Sequence, residues 1–414
     1  MKYVLTAPET LDCQVDLPFS KSIANRTLVI QALAGGELKS GFSCCDDTSV
    51  LLHALSTDAE LVDIGAAGAA MRFLTAYFSV CKGEHVLTGS ARMRQRPVGP
   101  LVEALRLLGA DIEYLENEGF PPLRIKGKSL EGGMLQVAGD VSSQFVSALL
   151  LVAPVLKSGL ELTLMGEIVS RPYIDLTLCV MRDFGAKAEW SDGMTIKVQP
   201  SPYNIRDYIL ENDWSAASYW YEILALSPQR AGQLMLKGLI DGSRQGDACV
   251  RHLFSMLGIK STFEKTQERV PTRLKLTKTM SVSPRLDYDF THQPDLAPTV
   301  VCTCAGLGIP FRFTGLASLR IKETDRIEAL RRELLKLGIR VKQAEADELY
   351  WDGETGVASM EPIDTYDDHR MAMAMAPLAF KFKDLKINHP EVVAKSYPGY
   401  WDELARAGFI IKRL

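Results

Sequence analysis

Five glycines, at positions 109, 185, 258, 338 and 408, each end an amphipathic helical stretch and open a short β-prone one. The flanking residues read L-R-L-L-G-A-D-I-E (Leu105–Glu113), V-M-R-D-F-G-A-K-A-E (Val180–Glu189) and F-S-M-L-G-I-K-S (Phe254–Ser261), then L-L-K-L-G-I-R-V (Leu334–Val341) and, more weakly, A-R-A-G-F-I-I (Ala405–Ile411). Successive glycines lie 76, 73, 80 and 70 residues apart. A helix–Gly–strand junction is common, but a near-constant step is the mark of one supersecondary module used several times. Alternating segments such as Leu123–Lys126 and Met194–Val198 read as half-buried strands between the helices. The fold class expected is therefore α/β, built of repeated modules.

A chain of 414 residues exceeds one core, so two domains are expected. The formal net charge is −4 and the pI about 6.0, which excludes a nucleic-acid-coating surface and confines any cationic site to a local cluster. The N-terminal M-K-Y-V-L-T-A-P-E-T has no apolar signal region, and the longest apolar run, Val146–Leu156, is half a membrane span and contains Pro154. A cytoplasmic protein without membrane or nucleic-acid partners is expected. The eight cysteines, including Cys44-Cys45 and Cys302-Thr-Cys304, lack paired C-x-x-C spacing and read as free buried thiols. The six histidines form no zinc pattern, and no Walker A loop, G-x-G-x-x-G or G-x-S-x-G is present. No cofactor or metal is expected.

Chemistry concentrates in short clusters. Arg320–Arg326, R-I-K-E-T-D-R, reads as the opening of a helix with apolar positions at Ile327, Leu330, Leu334 and Leu337, which puts Lys322 and Arg326 on one face. Cations at a positive helix end imply an anion from elsewhere. S-K-S-I-A-N-R (Ser20–Arg26) places two cations and several donors in one turn, and G-A-A-G-A-A-M-R (Gly65–Arg72) lets backbone N–H groups approach an anion. A-R-M-R-Q-R-P (Ala91–Pro97) precedes a helix with Pro97 just inside it; S-R-P-Y-I-D (Ser170–Asp175) starts another, with Ser170 as N-cap. V-S-S-Q-F (Val141–Phe145), Gln293-Pro294-Asp295, Y-D-D-H-R-M (Tyr366–Met371) and Ala394-Lys395-Ser396 complete the set. So many cations beside small residues, in a chain of net charge −4, indicate a small, multiply anionic ligand.

These motifs, in this order, resemble the 5-enolpyruvylshikimate-3-phosphate synthase family of enolpyruvyl transferases over nearly the whole chain. The resemblance implies two similar domains, each of three β-α-β-α-β-β units (an inside-out α/β barrel), with the active site between them. It places residues 1–18 and 212–414 in a discontinuous domain and 19–211 in an inserted one. It implies a monomer that transfers the enolpyruvyl group of phosphoenolpyruvate to the 5-hydroxyl of shikimate-3-phosphate, in chorismate and aromatic amino-acid biosynthesis. Shikimate-3-phosphate would be held by Lys21, Ser22, Arg26, Ser142, Ser143, Gln144, Ser170, Tyr173, Asp295 and Lys322. Phosphoenolpyruvate would be held by Lys21, Gly68, Arg96, Gln144, Arg326, Arg370 and Lys395. Asp295 would be the base for the 5-hydroxyl, Glu323 the proton donor and acceptor at C3, and Lys21 the acid at the leaving phosphate oxygen. His369 falls close to this centre with its role open. Gly68 leaves room for glyphosate in the family.

Three features depart from the family pattern: Phe19 follows Pro18, the segment Ala66–Ala69 reads A-A-G-A where the family has N-A-G-T, and Ser318 stands where Asn is usual. The sister enzyme that acts on UDP-N-acetylglucosamine has Lys-Asn where this chain has Lys21-Ser22, and a cysteine loop that neither Cys81 nor Cys179 matches. A non-catalytic relative would have lost Lys21, Asp295 or Glu323, and all three are present.

Overall fold

The computed structural model describes residues 1–38, 41, 45–229, 232–264 and 269–414. These form two compact units, one made of Met1–Ser20 with Glu211–Leu414 and the other of Lys21–Leu210. The seam falls two residues later at the first crossing, and one earlier at the second, than the sequence places it. Ser20 and Glu211 are held on the discontinuous side by the Ser20 N–H donating to the Glu211 carbonyl (2.9 Å) and the Ser20 hydroxyl donating to Gln245 (2.8 Å), while Phe19 bridges to Asn212.

The chain opens with β1 (Lys2–Thr6) and β2 (Asp12–Asp16), then enters the inserted unit through α1 (Lys21–Leu33) and α2 (Asp46–Leu55). Two full modules follow. The first is β3 (Leu61–Asp63), α3 (Gly68–Val80), β4 (Gly83–Thr88), α4 (Gly99–Leu107), β5 (Asp111–Tyr114) and β6 (Leu123–Gly127). The second is β7 (Gly133–Ala138), α5 (Ser143–Val152), β8 (Leu160–Met165), α6 (Arg171–Asp183), β9 (Ala188–Trp190) and β10 (Thr195–Val198). Back in the discontinuous unit come α7 (Trp214–Leu226), β11 (Gln233–Leu239), α8 (Val250–Met256), β12 (Ile259–Phe263) and β13 (Thr272–Lys278). Next are β14 (Leu286–Asp289), α9 (Ala297–Leu307), β15 (Phe311–Thr314), α10 (Arg326–Lys336) and β16 (Leu349–Trp351). The last are α11 (His369–Met375), β17 (Leu385–Asn388), α12 (Tyr400–Arg406) and β18 (Ile410–Arg413).

One strand order recurs in all five sheets of the described residues. The inserted unit has β3-β4-β6-β5 and β7-β8-β10-β9, in each case one parallel pair and then two antiparallel ones. In the discontinuous unit β2-β11-β13-β12 repeats it. The sheet β14-β15-β16 does so with bridges at Ile339 and Lys342 in place of the missing strand. In the fifth sheet Ile363 bridges parallel to β17, and β17-β1-β18 is antiparallel. The N-terminal segment thus supplies β2 to begin one module and β1 to finish another. The five recurrent glycines all sit after the second helix of a module, at φ between 77° and 98°. At four of them the next N–H donates to the carbonyl five residues back, at 2.9–3.0 Å (Ala110 to Leu105, Ala186 to Met181, Ile339 to Leu334, Phe409 to Leu404). A left-handed C′ residue closes such a helix, and glycine adopts that conformation without a Cβ clash. The period is therefore the module length.

Helices fill the interior and sheets cover it. In α5 every residue from Phe145 to Val152 is buried, and α7 is buried on nearly all faces, with Trp214, Tyr219, Trp220 and Tyr221 in the core. The strands alternate, as in β8 and β6, burying one face against the helices. No helix of the described residues is long and apolar enough to cross a membrane; the apolar run Val146–Leu156 is the buried end of α5 and a 3-10 turn over Ala153–Val155. The seven described cysteines are free, but Cys13, Cys81, Cys179 and Cys249 are only half-buried, so the expectation of uniformly buried thiols holds for Cys45, Cys302 and Cys304. Cys44 lies outside the described residues.

Glu222 lies in the middle of α7, fully buried, with neither carboxylate oxygen hydrogen-bonded among the described residues. Burial raises its pKa well above the ordinary carboxyl value. A carboxyl raised in the folded state holds its proton longer than in the unfolded chain, so stability is lost as pH climbs above the unfolded value. Glu222→Gln is expected to leave the melting temperature nearly unchanged at pH 5 and to raise it by about 2 °C or more at pH 8. Thermal unfolding across that pH range checks this; a pH-independent difference would rule out titration of Glu222.

Candidate active site

In the discontinuous unit the starts of three helices converge on one charged cluster. Asp325 caps α10, accepting from the N–H groups of Ile327 (3.1 Å) and Glu328 (3.2 Å). An aspartate is a strong N-cap, so α10 begins at Arg326 and not within R-I-K-E-T-D-R. This corrects the expectation that Lys322 and Arg326 share a helical face: Lys322 is extended, after a 3-10 turn over Ala317–Ile321 that contains Ser318. Asp368 caps α11 by accepting from the Arg370 N–H at 2.9 Å, and Asp295 sits in the 3-10 turn Pro294–Leu296 that leads into α9.

Arg326 is the hub, with its side chain 2% exposed. It donates from Nε and Nη2 to Asp368 (2.7 and 3.2 Å), from Nη1 to Asp295 Oδ1 (3.2 Å) and from Nη2 to Glu323 Oε2 (3.0 Å). Lys395 Nζ reaches Glu323 Oε1 at 3.1 Å, Arg370 Nη2 donates to Asp295 Oδ2 at 2.8 Å, and Lys322 Nζ stands 3.6 Å from Asp295 Oδ1. Burial alone would depress the Arg326 guanidinium, but Asp368, Glu323 and Asp295 raise its pKa above its usual value. Burial pushes Lys322 below the ordinary amine range, against the pull of Asp295. Asp295, Glu323, Lys322, Arg326, Arg370 and Lys395 are thus brought together, four cations against two carboxylates plus the buried Asp368. His369 is almost wholly buried, with Nδ1 3.8 Å from Asp368.

The inserted unit gathers its candidates at the first turns of α1, α3, α5 and α6. Lys21 opens α1 and its Nζ lies 2.9 Å from Asp47 Oδ2. Arg26 is 4% exposed and donates from Nε to Thr177 (2.7 Å), from Nη1 to the Ser22 carbonyl (2.8 Å), and from Nη2 to Ser147 (3.0 Å) and the Tyr173 carbonyl (3.1 Å). These acceptors are all neutral, and burial lowers the Arg26 pKa to about 10. A guanidinium carries five N–H groups, so Arg26 has one left for a ligand and cannot present a bidentate fork. Ser142 caps α5, its hydroxyl accepting from the Gln144 N–H at 3.3 Å, and Ser143 is the first helical residue. Ser170 occupies the cap position of α6, but in the left-handed region (φ 54°) and with no side-chain cap bond. Pro97 lies outside α4, which starts at Gly99; Arg96 before it is extended (φ −93°, ψ 125°), the conformation a following proline imposes.

Gly68 opens α3, whose start has no side-chain cap. A Cβ built on Gly68 would lie 2.8 Å from Arg96 Nη1 and 3.1 Å from Arg72 Nη1, so both guanidiniums crowd this helix start. Arg72 is anchored to the carbonyls of Gly68 (2.9 Å) and Pro97 (3.4 Å) and lies over the Phe145 ring. Arg96 is 8% exposed, and its guanidinium has no hydrogen-bond or ion-pair partner among the described residues; its Nε is buried without one. A buried cation beside a helix N-terminus is an arrangement that favours an anion.

Sequence reasoning gave no role to Asp47, Asp368, Ser147 or Thr177. The two aspartates were visible as members of D-D pairs, but nothing local distinguishes an ion-pairing carboxylate from a helix-capping or solvated one.

A model of the family described as EPSP synthase (3-phosphoshikimate 1-carboxyvinyltransferase) matches residues 43–404. A 3-phosphoshikimate 1-carboxyvinyltransferase of Bacteroides fragilis is 53% identical over 414 residues, covering 100% of this chain and 99% of the relative. One from Aliivibrio fischeri is 36% identical, covering 95% and 96%. A solved EPSP synthase from Acinetobacter baumannii superposes with a TM-score of 0.76 at 21% identity over the whole of both chains, a likeness of fold that agrees with the repeated modules. With its motifs in order along the chain and its fold shared, this chain belongs to the EPSP synthase family.

Proposed function

We propose that this chain transfers the enolpyruvyl group of phosphoenolpyruvate to the 5-hydroxyl of shikimate-3-phosphate and releases phosphate, as a cytoplasmic monomer serving aromatic amino-acid biosynthesis. The observation that carries the reading is Arg96, a buried guanidinium without a counter-ion among the described residues, beside the start of α3, which has no side-chain cap. It suits one anionic end of phosphoenolpyruvate. Lys21 and Gly68 serve the same substrate from this unit, and Gln144 reaches both substrates. Ser22, Ser142, Ser143, Ser170, Tyr173 and the remaining N–H of Arg26 take shikimate-3-phosphate.

In the other set, Arg326, Arg370 and Lys395 hold phosphoenolpyruvate, and Lys322 with Asp295 holds shikimate-3-phosphate. Asp295 takes the 5-hydroxyl proton as the oxygen attacks C2. Cations reach both of its oxygens, which favours the ionised carboxylate that a base must be. Glu323 delivers a proton to C3 and removes one when the tetrahedral intermediate collapses; Lys21 protonates the leaving phosphate oxygen. His369 has no assigned step. The cations are held by protein carboxylates before any ligand arrives, so they are already placed for the charge that develops.

Phosphate release from shikimate-3-phosphate plus phosphoenolpyruvate, with UDP-N-acetylglucosamine as the control acceptor, tests the reading; no release with the first pair would end it. Arg96→Ala is expected to raise the KM for phosphoenolpyruvate about 10- to 150-fold, the worth of a charged hydrogen bond, with a smaller change for shikimate-3-phosphate. Because Arg96 makes no side-chain bond within the described residues, the fold should be untouched. Equal effects on both KM values would show that Arg96 does not discriminate between them.

A further inference from the structure

We propose that Asp47 is a positioning residue for Lys21: its carboxylate aims the ammonium and keeps it charged for the phosphate oxygens that Lys21 handles. The proposal rests on the function given above for Lys21. The pair is set by two helix starts with opposite needs. Lys21 is the first residue of α1, where the helix dipole repels a cation, and its ammonium sits at the end of a four-carbon stem with many rotamers. Asp47 is the second residue of α2, where the dipole favours an anion, and its side chain is 6% exposed. The first turn of α2 is itself tied down. The Cys45 N–H donates to Thr48 Oγ1 (3.1 Å), and the hydroxyls of Thr48 and Ser49 both donate to the Cys45 carbonyl at 2.9 Å. A carboxylate on a tied-down helix start therefore stands 2.9 Å from the Lys21 ammonium.

Of the other helices packed against α1, α3 carries Arg72 and Tyr77, α6 carries Arg171, Tyr173, Asp175, Cys179, Arg182 and Asp183, and α5 carries no ionisable side chain. Arg26 in α1 itself is bonded to neutral acceptors. Asp47 pairs directly with Lys21 at 2.9 Å, close enough to offset the repulsion of nearby cations.

The test is the pH profile of kcat/KM for phosphoenolpyruvate in wild type, Asp47→Asn, Asp47→Ser and Asp47→Glu. Losing a carboxylate within ion-pair distance favours the neutral amine, so the alkaline fall in the Asn and Ser variants should begin about one pH unit lower. The deficit should be about tenfold at pH 9 and shrink to two- or threefold at pH 6.5. Asp47→Glu should restore the alkaline limb. A loss of equal size at every pH, or a change under twofold throughout, would overturn the proposal and leave Asp47 a structural residue. The Ser variant supplies the same readout should Asn fail to fold. A wild-type chain that releases no phosphate would instead remove the function on which the proposal stands.

Discussion

Glu323→Gln is expected to lower kcat by about 10²–10⁴, the usual worth of a general acid–base group, while the KM for shikimate-3-phosphate should stay within a few-fold of wild type. Protonating the enol carbon and later removing a proton from it call for a group that both gives and takes a proton; an amide does neither. The geometry adds a second cost. Glu323 presents Oε1 to Lys395 at 3.1 Å and Oε2 to Arg326 at 3.0 Å. A glutamine in this place turns its NH₂ toward one of two cations, whichever way it flips. Glu323→Ala separates the contributions: it lacks the proton shuttle but also lacks the clash. Both variants should turn over at similarly low rates, and in heavy water both should lose deuterium incorporation at C3 in step with kcat. A Gln variant retaining more than about a third of wild-type turnover would take Glu323 out of the reaction.

Reading the sequence succeeds where the physical requirement is local. Period and strand alternation identified the module, because a left-handed glycine at each helix end is a local requirement that leaves a local mark. The completion of two modules by β1 and β2 leaves none: their partners, β17, β18 and β11, are more than 200 residues away, and long-range pairing has no short-range signature. The R-I-K-E-T-D-R stretch was legible as a charged helix start but not in its boundary. Asp325 competes with continued helix by capping it, and only backbone conformation shows which prevails. Arg26 was legible as a cation; that neutral oxygens of Ser147, Thr177 and two carbonyls would occupy four of its five N–H groups depends on three helices meeting. Glu222 escaped notice because one acid in an apolar helix resembles an exposed position, and its burial follows from α7 running through the core.

Arg326→Met is expected to destabilise the discontinuous unit by about 3–5 kcal/mol and to abolish turnover, whereas Arg326→Lys should keep much of the stability and still lose about 10²-fold or more in kcat/KM. Arg326 satisfies three carboxylates at once, and Asp368 among them is wholly buried. Methionine fills similar space but strands that carboxylate in a site with little water, which is the costly way to break a buried pair. Lysine retains the charge, yet one ammonium cannot reproduce a guanidinium that bonds Asp368 through two nitrogens while also reaching Asp295 and Glu323. Those two carboxylates are the proposed base and proton shuttle, so their placement should fail even where the fold survives. Urea unfolding of each variant, followed by tryptophan fluorescence from Trp214 and Trp220 in the core of this unit, reads the stability. The double variant Arg326→Met/Asp368→Asn removes the stranded charge along with its partner, and should recover about 2 kcal/mol of the loss while remaining inactive. Stability of Arg326→Met within about 1 kcal/mol of wild type would mean that Asp368 is not held by Arg326, and the hub would have to be sought in Lys322, Arg370 or Lys395.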